Sequence, residues 1–354
     1  MKNIFFKISD QQSSDYHYVL ATIVRTQGST PQKPGSSALF GKDGVITGTV
    51  GGGIVEGKIQ EIATKALLSK VSGLYHFDLS YDISYTEEAI CGGQISVLID
   101  ARPENFTQVF NEVKESMSKQ IPGVLITMVT LLSDEEVQIN RYFASDINRP
   151  SIPSPFFEKI EPIIMSSISS FKRSAFKEVE ILLPGTQAPI LFFFEPIYPP
   201  DHLVIAGAGH IGRALAHLGS MLNFEVTIVD DRPEYANFEN IPDADHLIVK
   251  DIGQAMQELR KSRNTYVVIV TRGHNDDAEA LKPCIGSGLT YIGMIGSKKK
   301  IATMQKSFID RGWATKEQWE EIHAPVGLDI KSQTVEEIAV SIAAQLVLIR
   351  NGRE

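Results

Sequence analysis

Along the second half of the chain, apolar residues gather in runs of four to six bounded by turn formers, the pattern of strands buried on both faces. His202–Ala206 and Glu225–Val229 are two such runs, and Ile211–Asn223 between them carries apolar side chains at helical spacing, so the three together predict one βαβ unit. Further strands are expected at His246–Val249, Tyr266–Thr271 and Tyr291–Ile295. Strands alternating with helical segments specify a parallel sheet covered on both faces. A last helix, Thr334–Arg350, begins with the capping-box spacing Thr334-x-x-Glu337, and its apolar content suits docking against the domain or a second copy of the chain.

The first half is less regular. Tyr18–Arg25, Gln94–Ile99 and Val124–Leu132 read as strands, Glu56–Leu68 and Phe106–Lys119 as helices, with glycine-bearing turns between them. Asn148–Ser174, with four prolines and many serines, reads as an excursion loop before a final hairpin. The clearest boundary is Glu195–Pro200, EPIYPP, where prolines follow an apolar run. The expected fold is α/β: an N-terminal mixed α+β domain over residues 1–195, then a Rossmann-like domain with a mainly parallel, doubly wound sheet over residues 201–354.

Length agrees with two domains, because 354 residues exceed what one core usually supports. With 43% hydrophobic and 22% charged residues the chain has the composition of a soluble globular protein. A net charge of −9 disfavours nucleic acid, whose affinity comes largely from Lys and Arg neutralising phosphates. No apolar run reaches the roughly 18 residues of a membrane span, and Met1–Asp10 lacks the features of a signal peptide, so the expected location is the cytoplasm, away from membranes. Two cysteines, Cys91 and Cys284, are too few for a disulfide framework or a thiolate zinc site.

The most specific local signal is Gly207-Ala208-Gly209-His210-Ile211-Gly212, a GxGxxG that directly follows a strand and opens a helix. Gly207 permits the tight turn, Gly209 lets backbone N–H groups approach a pyrophosphate, and Gly212 allows close helix-to-strand packing. Asp230, about twenty residues on, is placed to accept from ribose hydroxyls. A glycine turn that only packs helix on strand is the alternative. Two more segments end strands on the same edge of the sheet. Gly296, Ser297 and Lys298, with Lys299 and Lys300, can offer N–H groups and positive charge to an anion at a helix start, although lysine runs are commonly solvated. His274, Asp276 and Asp277 read either as an acid/base or metal cluster or as helix-capping loop residues.

Three small-residue segments mark the first half: Thr26–Pro31 (TQGSTP), Gly48–Gly57 (GTVGGGIVEG) and Cys91–Gln94 (CGGQ). Gly51, Gly52 and Gly53 run into a helix, so their amides can face a phosphate or oxyanion. Cys91 stands beside Gly92 and Gly93, where N–H groups can stabilise a thiolate; burial as a small apolar residue is the alternative. Cys284 reads as packing.

The ordered set VRTQGSTPQKPG, GTVGGGIVEG, AICGGQISVLI, GAGHIGRAL, VDDRPEYA, YIGMIGSKKK and APVGLDIKSQTVEEIAVSIAAQLV resembles the xanthine dehydrogenase accessory factor family, also called XdhC/CoxI, over about Val19–Asn351. The resemblance implies a cytoplasmic chaperone that binds the molybdenum cofactor, associates with the cysteine desulfurase-type sulfurase that gives the cofactor its terminal sulfido ligand, and delivers it to an apo molybdenum hydroxylase of the xanthine dehydrogenase type. It also implies a homodimer, a maturation factor rather than a catalyst, Cys91 as the candidate molybdenum contact, and the GTVGGG run as a cofactor contact. Many relatives carry a cysteine directly after the glycine run; Ile54 stands there in this chain, so either Cys91 acts alone or the role is altered. Cofactor handling in the first domain and a phosphate clamp in the second together suggest a ligand held in a cleft between them. The competing expectations are an NAD(P)-dependent oxidoreductase, with His210, His274 and Lys298 as its only apparent acid/base groups, and a nucleotide-sensing regulator.

Overall fold

The computed structural model describes residues 4–10, 18–79, 92–169, 175–185, 188–259 and 264–352. The chain divides into two compact units, Met1–Pro199 and Pro200–Glu354.

The first unit opens with helix α1 (Ile4–Asp10) and the strands β1 (Val19–Gln27), β2 (Ser37–Gly41) and β3 (Gly44–Gly48), followed by α2 (Gly53–Ser69), β4 (Gly73–Asp78) and β5 (Gln94–Asp100). The five strands form an antiparallel sheet in the order β3-β2-β1-β5-β4. After α3 (Thr107–Ser118) come β6 (Gly123–Leu131), β7 (Val137–Ser145), α4 (Ser154–Ser169), β8 (Lys177–Ile181) and β9 (Ile190–Ile197), whose strands make a second antiparallel sheet in the order β7-β6-β9-β8.

Strand alternation divides the core. On β1, Val19, Ala21 and Ile23 pack under α2 with Ile59 and Ala63, while Leu20 and Val24 face the other way. On β9, Phe192 and Phe194 pack under α4, while Leu191, Phe193 and Ile197 face away from it. Residues of the two free faces meet, Leu20 with Leu125 and Val24 with Val129, so the unit is layered as helix, sheet, sheet, helix.

Helix α4 corrects the expectation of a loop over 148–174. Its signal is the four-residue spacing of Phe156, Ile160, Ile164 and Ile168, all buried on the second sheet. Pro155 falls in the first turn, where a missing N–H costs nothing, and Pro162 inside the helix removes one hydrogen bond that burial of this apolar stripe outweighs.

The second unit alternates strand and helix: β10 (His202–Ala206), α5 (His210–Met221), β11 (Glu225–Asp230), β12 (His246–Val249), α6 (Ile252–Glu258), β13 (Thr265–Ile269), α7 (His274–Leu281), β14 (Tyr291–Met294), α8 (Lys298–Asp310), α9 (Lys316–Glu320) and α10 (Val335–Asn351). All four strand pairings are parallel, in the order β12-β11-β10-β13-β14. Residues of α5 and α10 cover one face and residues of α6, α7 and α8 the other, which is the doubly wound, Rossmann-like arrangement. The capping box at Thr334 forms: its hydroxyl accepts from the Glu337 N–H, and the Glu337 carboxylate accepts from the Thr334 N–H.

Candidate functional site

Strand order reverses beside β10, so its C-terminal end is the switch point where open α/β sheets hold ligands. Gly207 makes the turn there at φ 122°, and a Cβ on it would lie 2.5 Å from the Val270 carbonyl oxygen. On Gly212 a Cβ would lie 1.9 Å from the Gly207 oxygen, so this glycine lets α5 seat on the turn. Gly209 differs: its backbone is ordinary (φ −72°) and a Cβ on it would meet nothing within 4 Å. The space in front of Gly209 is open, as ligand approach would require. His210, the first residue of α5, is exposed and lines a cavity of about 510 Å³ with Arg213, His217 and Glu336.

Asp230 is buried at the end of β11. Its carboxylate accepts from the Ala208 N–H (2.7 Å) and from Arg232 through the backbone N–H (3.0 Å) and the guanidinium (2.9 Å). Burial disfavours its charge, but the hydrogen bonds from Arg232 and Ala208 win and hold the carboxyl below the usual range. Asp230 thus ties the phosphate-type turn to the next loop, and a ribose hydroxyl has to compete with these donors. Asp231 pairs with Arg272 at 3.0 Å.

Gly296 and Ser297 lead into α8, where the Ser297 hydroxyl caps the helix by accepting from the Lys300 N–H. Lys298 and Lys299 are exposed, whereas Lys300 pairs with the fully buried Asp277. Asp277 also accepts from the Thr271 hydroxyl, so it joins the loop after β13 to the start of α8. Neither expectation for His274, Asp276 and Asp277 describes this arrangement. Gly273 is the N-cap of α7, and among the described residues no group of three or more His, Cys, Asp or Glu side chains is placed to hold a metal ion.

In the first unit the three small-residue segments come together. A Cβ on Gly93 would strike the carbonyl oxygens of Ser29 (2.4 Å) and Gln27 (2.5 Å), and one on Gly51 would strike the Pro31 ring (2.8 Å). The loop after β1 therefore sits against the CGG segment on one side and the GTVGGG run on the other. Gly51, Gly52 and Gly53 all have positive φ, and a Cβ on Gly52 or Gly53 would meet nothing within 4 Å. The amides of this run are already engaged from within: Glu56 Oε2 accepts from the Val50 N–H (3.3 Å), the Gly52 N–H (3.2 Å) and the Thr49 hydroxyl (3.0 Å). An anion bound there has to displace Glu56. Gly92 is exposed and begins the segment that feeds β5; Cys91 lies outside the described residues. Cys284 is fully buried, its thiol 3.3 Å from the Ala280 oxygen.

Sequence reasoning missed three charged side chains in the layer between the sheets of this unit. Asp100 on β5, Arg141 on β7 and Glu195 on β9 occupy positions whose strand neighbours, Leu98, Val137 and Phe193, are core residues of that layer. A charge at an inward position of an alternating strand is the signal that finds them. Arg141 donates to Asp100 (3.2 and 3.3 Å) and to the Thr127 hydroxyl (3.0 Å). Burial pushes Asp100 up, opposed by Arg141 and the Arg102 N–H. Glu195 feels the field of Arg141 without its hydrogen bonds, and burial pushes its carboxyl up to about 7.

No helix among the described residues is long and apolar enough to cross a membrane. In comparisons with known proteins, the family model described as "XdhC and CoxI family" matches residues 12–78, and that described as "XdhC Rossmann domain" matches residues 203–346. The chain is 26% identical over 348 residues to a protein of Bacillus subtilis (strain 168) described as a probable xanthine dehydrogenase component, covering 97% of this chain and 95% of that protein. It is 24% identical over 351 residues to YqeB, an uncharacterized protein of Escherichia coli (strain K12), covering 99% of this chain but 47% of YqeB, so it spans about half the length of that relative. A crystal structure from Bacillus halodurans described as a xanthine dehydrogenase superposes with a TM-score of 0.78 at 24% identity, covering 99% of this chain and 95% of that one, and shares the fold. With one family model matched in each unit and in the expected order, the chain belongs to the XdhC and CoxI family.

Proposed function

We propose that this protein is an accessory factor for a molybdenum hydroxylase of the xanthine dehydrogenase type, which binds the molybdenum cofactor as cargo and delivers it to the apo enzyme. The observation that carries the reading is the convergence of the TQGSTP loop with Gly93 and Gly51, which brings the family's glycine segments to one place. Such a place suits a ligand that needs close backbone approach, and Cys91, next to Gly92, is the proposed soft contact for molybdenum. In the second unit the open space at Gly209 supports binding of a phosphate-bearing group, either a nucleotide arm of the cargo or NAD(P). Asp230, Gly296, Ser297 and Lys298 surround that proposal at the same edge of the sheet. A sulfurase partner, a homodimer and a cytoplasmic location belong to the same reading.

The test is direct. Protein purified from cells that make molybdenum cofactor is expected to carry molybdenum and a pterin that fluoresces after oxidation, in comparable amounts. Stoichiometric nicotinamide with no molybdenum, even after co-expression with the cofactor pathway and a hydroxylase, would replace this reading with the oxidoreductase one.

A further inference from the structure

Glu195 stands between two hollows of the first unit. One, of about 250 Å³, has polar walls from Gln32, Ser36, Ser37 and Thr49, an apolar wall from Phe5, and the Glu195 carboxyl. The other has room for about one water, at about 10 Å³, and brings Glu195 to Arg141, Thr22 and Thr127. A Thr22–Ser37 hydroxyl contact of 3.0 Å links the two.

The charges around this carboxyl select what it can bind. Arg141 on β7 is the one charged side chain lining either hollow besides Glu195 among the described residues, and its guanidinium is committed to Asp100 on β5 and Thr127 on β6. The larger hollow has no lysine or arginine in its wall, so a phosphate or other anion would meet an acid with no compensating cation. A flat, uncharged group with N–H donors fits instead: hydroxyls and a glutamine amide serve its rim, Phe5 an apolar part, and the carboxylate a pair of adjacent donors. Among the described residues the Glu195 carboxyl makes no hydrogen bond within the protein, so its oxygens are the unspent acceptors of the site. Lining residues Gln32 and Ser36 follow the TQGSTP segment and Thr49 belongs to the GTVGGG run, so the hollow adjoins the convergence described above.

We propose that this hollow is the recognition pocket for the 2-amino-4-oxo edge of a pterin-type heterocycle, with the Glu195 carboxylate accepting from the exocyclic amino group and the neighbouring ring N–H. The inference rests on the cargo reading and assigns the heterocycle end of that cargo to a residue. Burial holds Glu195 protonated up to about pH 7, and a two-donor edge requires it ionised, so binding releases a proton below that pH. Arg141 keeps the ionised form accessible; Asp100 lies behind Arg141, away from the larger hollow's wall.

The experiment titrates the full chain with free pterin and with its 2-oxo counterpart lumazine, which lacks the amino donor, following pterin fluorescence. Pterin is expected to bind at least tenfold tighter than lumazine, and its affinity to fall by about tenfold or more between pH 7 and pH 5.5. Glu195→Gln, checked for an unchanged melt, is expected to lose the preference and the pH dependence together. Equal binding of the two heterocycles, or a wild-type affinity flat with pH, overturns the proposal without need of any variant. The two readings fail separately: Glu195→Gln that still purifies with full cofactor overturns this pocket and leaves the cargo reading standing, whereas wild-type protein that binds pterin as expected but never carries molybdenum overturns delivery alone.

Discussion

Gly209 and Gly212 belong to one six-residue fingerprint yet predict opposite phenotypes. In Gly212→Ala the new methyl carbon would lie 1.9 Å from the Gly207 oxygen, and ordinary contact begins near 3.4 Å. The start of α5 must then open from the turn by roughly 1.5 Å, at a cost of about 3 kcal/mol in a close-packed region. For a unit of this size that lowers the melting temperature by about 6–12 °C. In Gly209→Ala the methyl group enters open space on an ordinary backbone. Losing glycine at the N-cap costs a few tenths of a kcal/mol, and a stiffer unfolded chain returns about 0.4–1 kcal/mol, so stability should stay within about 1 kcal/mol. The same methyl group stands where a pyrophosphate would approach the amides, and the expected loss of affinity is about tenfold or more. Scanning calorimetry reads the first effect, and titration with NADH and ADP-ribose reads the second. If Gly209→Ala melts as low as Gly212→Ala, the space at Gly209 is not open; if it binds nucleotide like the wild type, the turn is only a packing device.

Other expectations follow from the buried charges and the cysteines. Glu195 has a folded-state pKa above its unfolded value, so the folded protein binds the extra proton and stability declines as pH rises from about 4.5 to about 7. Glu195→Gln should match the wild type near pH 4.5 and exceed it above pH 7 by up to about 3 kcal/mol, measured by urea unfolding; a constant offset at all pH values would contradict this. Arg141→Met leaves Asp100 buried without its cation and should cost about 3–5 kcal/mol, of which a companion Asp100→Leu should recover a large part; if the double variant is no better than the single, the pair is not the coupled unit described. Cys284 should resist alkylation in the native protein, being fully buried on α7's flank, while the proposed Cys91 thiol reacts and is protected by bound cofactor. Equal labelling of both, unaffected by cofactor, would return Cys91 to packing.

The second unit was legible because a parallel sheet buried on both faces writes its strands as compact apolar runs, and because GxGxxG carries its own context. What the sequence concealed there was occupancy: nothing in Asp230-Asp231-Arg232 says that the arginine folds back onto the first aspartate. In the first unit, the prolines and serines of 148–174 dominate the composition and mask the periodic Phe156, Ile160, Ile164 and Ile168, whose spacing alone carries the helix. Glu56 in the glycine run's own anion position was hidden for a different reason: a carboxylate four residues into a helix reads as ordinary first-turn charge until the three donors around it are seen. Asp100, Arg141 and Glu195 were readable in principle from strand alternation, but only once each strand's inward face was known.

Transfer itself is the central claim, and activation of an apo molybdenum hydroxylase measures it. Apo enzyme of the xanthine dehydrogenase type is mixed with cofactor-loaded protein and, separately, with the same amount of free cofactor. The expected result is that the loaded protein restores activity faster and to a higher level, that molybdenum moves to the hydroxylase as activity appears, and that Cys91→Ser loses the advantage. Activation no better than free cofactor, with molybdenum left on a well-folded donor, would contradict it.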